Sequence, residues 1–210
     1  WEIRRPSPDA AWNSSTQRML PNVNSAGVTE WDIVGQVTRG DLTMLLSRGT
    51  PARVADLYQS SRQSRAEDFG SPQALSEFNT DAYELSPFMT SDGLMFFFSS
   101  DRPGGCGGLD LYVAVRSSAA EPFGQPVNLL DLNSQSNDVR PFLNEARGTL
   151  YFSSNRTGNY DLYSCQLQSE QPSVPSGLIW STFIGGQGSD DAAGVVISSC
   201  LLYTSDAADE

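Results

Sequence analysis

The apolar and polar positions of this chain break into short strand-like runs. Between residues 85 and 130 they predict four strands, at 85–90, 94–100, 109–116 and 125–130. Leu94-Met95-Phe96-Phe97-Phe98 is apolar on both faces, which suits a sheet covered on both sides rather than one facing water. The run that starts at Leu109 alternates and is rich in strand formers. The breaks are Ser91-Asp92-Gly93, a glycine-rich loop within SSDRPGGCGGLDLY (99–112), and 117–124, with turn residues where hairpins need them. The segment 54–69, rich in Arg, Gln, Ser and Glu, passes for a surface helix on propensity alone.

Comparison of the chain with itself decides that segment. Asp-Leu-Tyr occurs at Asp56-Leu57-Tyr58, Asp110-Leu111-Tyr112 and Asp161-Leu162-Tyr163, at steps of 54 and 51. Ala66-Glu67-Asp68-Phe69-Gly70 returns 54 positions later as Ala120-Glu121-Pro122-Phe123-Gly124, and Arg48, Arg102 and Arg156 are 54 apart. So are the acids Glu30, Glu84 and Asp138. Trp1 and Trp12 lie 57 before Tyr58 and Phe69, so the chain reads as beginning in the middle of a repeat. Self-similarity at this period is the signature of a repeat architecture. The start of 54–69 superposes on the strand at 109–116 and is therefore expected as a strand.

Glu84-x-x-Pro87-Phe88, Ser91-Asp92-Gly93, Phe98-x-Ser100-x-Arg102, Gly105 and Asp110-Leu111-Tyr112 resemble the TolB-type, WD-repeat-like propeller repeat of bacterial extracytoplasmic proteins. Asp138-x-x-Pro141-Phe142, Phe152-x-Ser154-x-Arg156 and Asp161-Leu162-Tyr163 repeat the match. The first copy departs from it, since Glu30-Trp31-Asp32-Ile33 lacks the Pro. The resemblance implies an all-β fold, a β-propeller fragment of four-stranded antiparallel blades in an incomplete ring. Residues 1–20 read as the end of a truncated blade, 21–78 as a degenerate blade, 79–132 as a blade and 133–167 as a partial one. A linker at 168–176 leads to 177–199, similar to one partial copy of the seven-bladed bacterial propeller (SBBP) repeat. The segment 200–210 resembles translated sequencing-adapter read-through and is set aside as a non-native tail.

Composition narrows the function. The 210 residues carry 13 basic and 25 acidic groups, a net charge of −12, and every basic residue is Arg. A chain this acidic is repelled by phosphate backbones and anionic lipid, which argues against nucleic acid and membrane surfaces as partners, and it has no apolar run of membrane-spanning length. There is no His, which removes the commonest general base, triad partner and metal ligand. Cys106, Cys165 and Cys200 show no C-x-x-C spacing and suggest neither a zinc site nor a disulfide framework.

Candidate chemistry is sparse. A phosphate-binding loop opens a helix, whereas the glycines of 104–108 open a strand and read as a hairpin turn. The acid and Arg of each copy, Glu30 with Arg48, Glu84 with Arg102 and Asp138 with Arg156, are 18 apart and are brought to one face by hairpin alternation. Repetition in every copy favours a structural pair. The sharper reading makes Glu84 and Asp138 a carboxylate pair for glycoside chemistry, which requires a separation of about 5–10 Å. Asp56, Asp110 and Asp161 read as turn or strand-edge acceptors. Trp31 is either a stacking residue for sugar or partner or a filler of its degenerate copy, and packing favours the filler. Calcium at Asp190 and Asp191 is conceivable, since carboxylates suit hard cations.

The expected function is a non-enzymatic, extracytoplasmic binding or scaffold module for protein, peptide or glycan partners and for further blades of the same chain, without cofactor or metal. The rival is a propeller that carries or gates a hydrolase site. The working surface is expected on the loops 79–84, 101–108, 133–140 and 155–160, longer and more polar than the turns at 91–93 and 145–148. Its binding candidates are Glu84, Asp101, Arg102, Asp138, Arg140, Asn155 and Arg156.

Overall fold

The computed structural model describes residues 18–24, 30–38, 40–50, 53–167 and 203–204. They form three four-stranded antiparallel sheets and no helix. The first sheet runs in chain order through β1 (Trp31–Thr38), β2 (Thr43–Thr50), β3 (Arg53–Ser61) and β4 (Gln73–Ala74). The second follows with β5 (Glu84–Met89), β6 (Met95–Ser100), β7 (Asp110–Val115) and β8 (Val127–Asn128). The third has β9 (Asp138–Asn144), β10 (Thr149–Ser154) and β11 (Asp161–Gln166), and its outer edge is β12 (Tyr203–Thr204). β12 comes from the segment that the sequence reading set aside as a tail. The segment 54–69, expected from the repeat to begin as a strand, lies in β3 and the turns that follow, with Ala55, Leu57 and Ser60 buried. Fourth strands are shorter than expected: β8 keeps two residues of the six at 125–130.

The sheets stack face to face in chain order and do not close into a ring among the described residues. β5 packs against β1, β2 and β3, and β9 against β5, β6 and β7. The continuous apolar run of β6 explains the stacking, since Phe96 and Phe98 face the first sheet and Phe97 faces the third. Between the first and second sheets, Leu45 and Leu57 meet Met89, Phe96, Phe98 and Tyr112, with Phe78 of the connection stacked 4.3 Å from Phe96. Between the second and third, Phe88, Phe97 and Leu111 meet Leu143, Leu150, Phe152 and Tyr163. Leu129 and Leu132 close that layer from the connection, as Leu75 and Phe78 do in the layer before.

Each sheet's first strand carries a bulge. In β5 the register shifts between Leu85 and Phe88, around Pro87, which has no N–H to give to the ladder. Pro141 stands at the same place in β9, facing the register shift between Tyr151 and Ser153. The residues before these prolines, Ser86 and Arg140, have φ of 56° and 58°, a left-handed conformation that side chains other than Gly seldom adopt. β1 shifts between Val34 and Gln36, around Gly35. A Cβ on Gly35 would lie 2.3 Å from the carbonyl oxygen of Pro87, so the two bulges touch backbone to backbone and only glycine fits.

Candidate functional site

The recurring acid and Arg sit where the connection entering a sheet meets that sheet's central hairpin. In the second sheet Glu84 and Ser100 face each other across β5 and β6, which aims both side chains at the loop that follows. Arg102 Nη2 donates to Glu84 Oε1 at 3.2 Å and to the Phe78 carbonyl at 2.7 Å, and Arg102 Nε donates to Ser100 Oγ at 3.1 Å. Its guanidinium lies 4.9 Å from the ring centres of both Phe98 and Tyr112. Glu84 is wholly buried, and its oxygens also accept from the Thr80 hydroxyl and amide and from Ser100 Oγ. The third sheet repeats the arrangement. Arg156 donates to Asp138 Oδ1 at 2.7 Å, to the Leu132 carbonyl at 2.6 Å and to Ser154 Oγ at 2.9 Å, over Phe152 and Tyr163. Asp138 is wholly buried and also accepts from the Ser134 amide and hydroxyl.

Each carboxylate is thus saturated by its own Arg, hydroxyls and amide. That is the chemistry of a staple between connection, hairpin and the Tyr of Asp-Leu-Tyr, in keeping with the structural reading of these pairs. The first copy requires a correction. Arg48 pairs with Asp32 at 2.6 Å, and Glu30 is exposed. The reason is register: Arg48 stands within β2 directly opposite Asp32, whereas Arg102 and Arg156 lie two residues beyond their strands. Arg48 still bonds the Val23 carbonyl of its connection and lies 5.3 Å from the Tyr58 ring centre. Asp110 and Asp161 behave as acceptors: Asp110 Oδ2 takes the Cys106 amide and Asn128 Nδ2, and Asp161 takes the Thr157 hydroxyl. Asp110 Oδ1 is buried without a hydrogen-bond partner. Trp31 is half-buried, packed so closely on Gly49 that a Cβ there would lie 2.6 Å from its ring, which is the filler role.

The loops expected to form a working surface do meet. Gly108 N donates to the Ser136 carbonyl at 3.0 Å and Leu109 N to Asn137 Oδ1 at 2.9 Å, joining the glycine-rich hairpin to the next connection. Gly107 and Gly108 face this approach, and Gly105 faces the hairpin's own Asp110. A Cβ on Gly107 would lie 2.5 Å from the Gln135 carbonyl carbon, one on Gly108 2.2 Å from Asn137 Oδ1 and one on Gly105 2.3 Å from Asp110 Oδ2. Asp101 accepts the Tyr83 amide at 2.7 Å, and Asn155, 54 residues on, accepts the Asn137 amide at 2.8 Å. Six of the seven candidates, Glu84, Asp101, Arg102, Asp138, Asn155 and Arg156, therefore hold the loops in place. Arg140 differs: it is exposed on the bulge of β9, with Tyr160, also exposed, 6.0 Å away.

Two features escaped the sequence reading. Asn79 and Asn133 each act as a one-residue strand. Asn79 accepts from Leu57 N at 2.8 Å and donates to its carbonyl at 3.0 Å, and Asn133 does the same to Leu111 at 2.8 and 3.0 Å. Their spacing of 54 was a signal in plain sight. The second is Cys165, buried in β11 and disulfide-bonded, where the cysteine spacing suggested no disulfide framework. Cys106 is free and exposed; burial, then the carboxylates of Asp110 and Asp138, push its thiol pKa up. Burial likewise pushes the Tyr112 phenol up.

A cleft of about 280 Å³ opens between the first two sheets, lined by Thr43, Gln59, Glu77, Phe78, Phe96 and Arg116. None of the seven candidates lines it. Among the described residues no group of three or more Cys, Asp or Glu is placed to hold a metal ion, and no helix is long and apolar enough to cross a membrane. Asp190 and Asp191 lie outside the described residues. In comparison with known proteins, the chain matches no family model and no curated protein.

Proposed function

We propose that this chain is a segment of a β-propeller of the TolB-like, WD-repeat-like kind, acting outside the cytoplasm as a non-enzymatic binding or scaffold module. Its partner is a protein, peptide or glycan, met by the face that carries loops 101–108, 133–140 and 155–160. One observation carries the reading: the recurring ionisable groups of the second and third sheets are consumed in staples, while Arg140 and Tyr160 stand exposed on the same face. Three like sheets stacked in chain order, each first strand against the sheet before it, support the propeller. An exposed Arg beside an aromatic ring suits a mixed polar partner, and the net charge of −12 disfavours a polyanion.

The test is to screen the full chain against peptide and glycan arrays and to map the best binder by hydrogen exchange. The expected result is protection at 101–108 and 155–160 and loss of binding in Arg140→Ala. Protection confined to the turns at 91–93 and 145–148 overturns the choice of face, and turnover of chromogenic glycoside or peptide substrates overturns the non-enzymatic reading.

A further inference from the structure

The bulges of the three first strands are equivalent in register, and they are not fastened alike. Asp32 with Arg48, Glu84 with Ser100 and Asp138 with Ser154 are the matching pairs that open the three ladders. Counting from them, Gly35, Pro87 and Pro141 share one position, and Gln36 and Phe88 share the next. Ser47 and Ser99 are equivalent as well, standing opposite Ile33 and Leu85.

The β5 bulge is fastened to the first sheet at its centre. The Ser86 amide donates to Ser47 Oγ at 3.1 Å and the Met89 amide to Gln36 Oε1 at 2.8 Å, and Gly35 lets the two backbones touch. Among the described residues the β9 bulge lacks these fastenings to the second sheet. Phe88 takes the place of Gln36 and offers no acceptor. Ser99, the counterpart of Ser47, is 0% exposed, and its hydroxyl has no hydrogen-bond partner. The cause is Pro87. A Cβ at Gly35 would lie 2.3 Å from the carbonyl of the next bulge, so Pro87, which carries a Cβ and a ring at that position, holds the β9 bulge further off.

The ties from β9 to the second sheet lie instead at its two ends. Asp138 N donates to the Leu109 carbonyl at 2.6 Å, and Glu145 accepts from the Ser91 amide and hydroxyl at 2.8 and 2.6 Å. Between them Arg140 sits at a φ of 58° with its side chain exposed. Two terms oppose each other there. A buried hydroxyl without a partner is unfavourable and gains by accepting the Arg140 amide, as Ser47 accepts that of Ser86, while the Pro87 ring resists the approach.

We propose that the β9 bulge is a two-position latch, open here and closed when Ser99 Oγ takes the Arg140 amide and draws that residue toward the second sheet. The latch sets how far Arg140 stands out, so it regulates the contact that the proposed function assigns to this residue, and in this it rests on that reading. A partner that grips Arg140 in one position shifts the balance between the two.

Backbone relaxation dispersion and hydrogen exchange on the full chain, with no partner present, test the latch. Wild type is expected to show millisecond exchange at Arg140 and its neighbours Val139 and Phe142, and none at Ser86. Ser99→Ala removes a hydroxyl that is unpaired in the open position, so it is expected to keep the fold and to abolish the exchange at Arg140. Pro87→Gly restores the close approach seen at Gly35 and is expected to slow hydrogen exchange at the Arg140 amide about fivefold or more. Adding Ser99→Ala to it is expected to cancel that protection. Flat wild-type profiles at Arg140 overturn the proposal. So does dispersion there that survives Ser99→Ala, or protection in Pro87→Gly that does not depend on Ser99. Because no partner enters the measurement, a failed latch leaves the binding face standing, whereas an Arg140→Ala chain that still binds overturns the face and not the latch.

Discussion

Replacing Arg102 by Met asks whether the staple is structural. The substitution keeps most of the apolar stem and removes the guanidinium, and with it the bonds to Glu84, the Phe78 carbonyl and Ser100 and the stacking on Phe98 and Tyr112. Glu84 is then a carboxylate at 0% exposure without its cation. Breaking a buried pair by removing one partner costs about 3–5 kcal/mol. Two features reduce this: the Arg102 side chain is 16% exposed, and Glu84 keeps Thr80 and Ser100 as donors. A loss of about 2–4 kcal/mol follows, which for a chain of this size lowers the melting temperature by about 5–15 °C. Urea unfolding followed by circular dichroism reads the free energy directly. Adding Glu84→Gln to Arg102→Met removes the stranded charge and is expected to recover part of the loss, so the double-mutant cycle isolates the pair. A change in Arg102→Met below about 0.5 kcal/mol, the range of ordinary surface substitutions, refutes the reasoning.

Other perturbations have equally definite outcomes. Asn133→Ala leaves the Leu111 amide unpaired, while the Leu111 carbonyl keeps the Leu129 amide, and is expected to cost about 1–3 kcal/mol, with faster hydrogen exchange at the Leu111 amide; unchanged protection there contradicts the strand-mimic role. Gly107→Ala drives a Cβ into the backbone at Ser134 and Gln135 and is expected to destabilise by about 1–3 kcal/mol and to loosen 134–137 in exchange measurements. Cys106, although exposed, is expected to be alkylated more slowly at pH 8 than a cysteine in an unstructured peptide. Its folded pKa is raised, so less of it is thiolate at any pH below that value, and Asp110→Asn should move the rate profile to lower pH; a profile identical to the peptide's refutes this.

Much of the strand pattern was legible because the repeat states it three times. The β6 run Met95-Phe96-Phe97-Phe98 announces a sheet covered on both faces, and three Asp-Leu-Tyr segments overrule the helical propensity of 54–69. The staples of Arg102 and Arg156 were legible for the same reason. Arg48 was misassigned to Glu30 because spacing of 54 is a statement about sequence, whereas pairing follows register, and the first hairpin places its Arg inside the strand. The purpose of the glycines at 107 and 108 was not legible, because it depends on the approach of 134–137 from the next connection. Asn79 and Asn133 were overlooked because an Asn beside a turn reads as a turn former, and only the geometry shows it completing a strand.

The staple also bears on how such a chain grows. Every group that fixes Arg102, from the Phe78 carbonyl to the Tyr112 ring, lies within one continuous stretch of 78–112, and every group that fixes Arg156 lies within 132–163. One tie backward to the previous sheet runs through Asn79 or Asn133 to a peptide group, which every residue type except proline presents in full, and others reach side chains, as the Ser86 and Met89 amides do to Ser47 Oγ and Gln36 Oε1. A gene segment that encodes one such stretch therefore carries its own charge neutralisation with it when copied in tandem. Selection is left to tune the apolar layer between sheets, where the position opposite Gln59 in the first sheet holds Leu45 and the position opposite Val113 in the second holds Phe97.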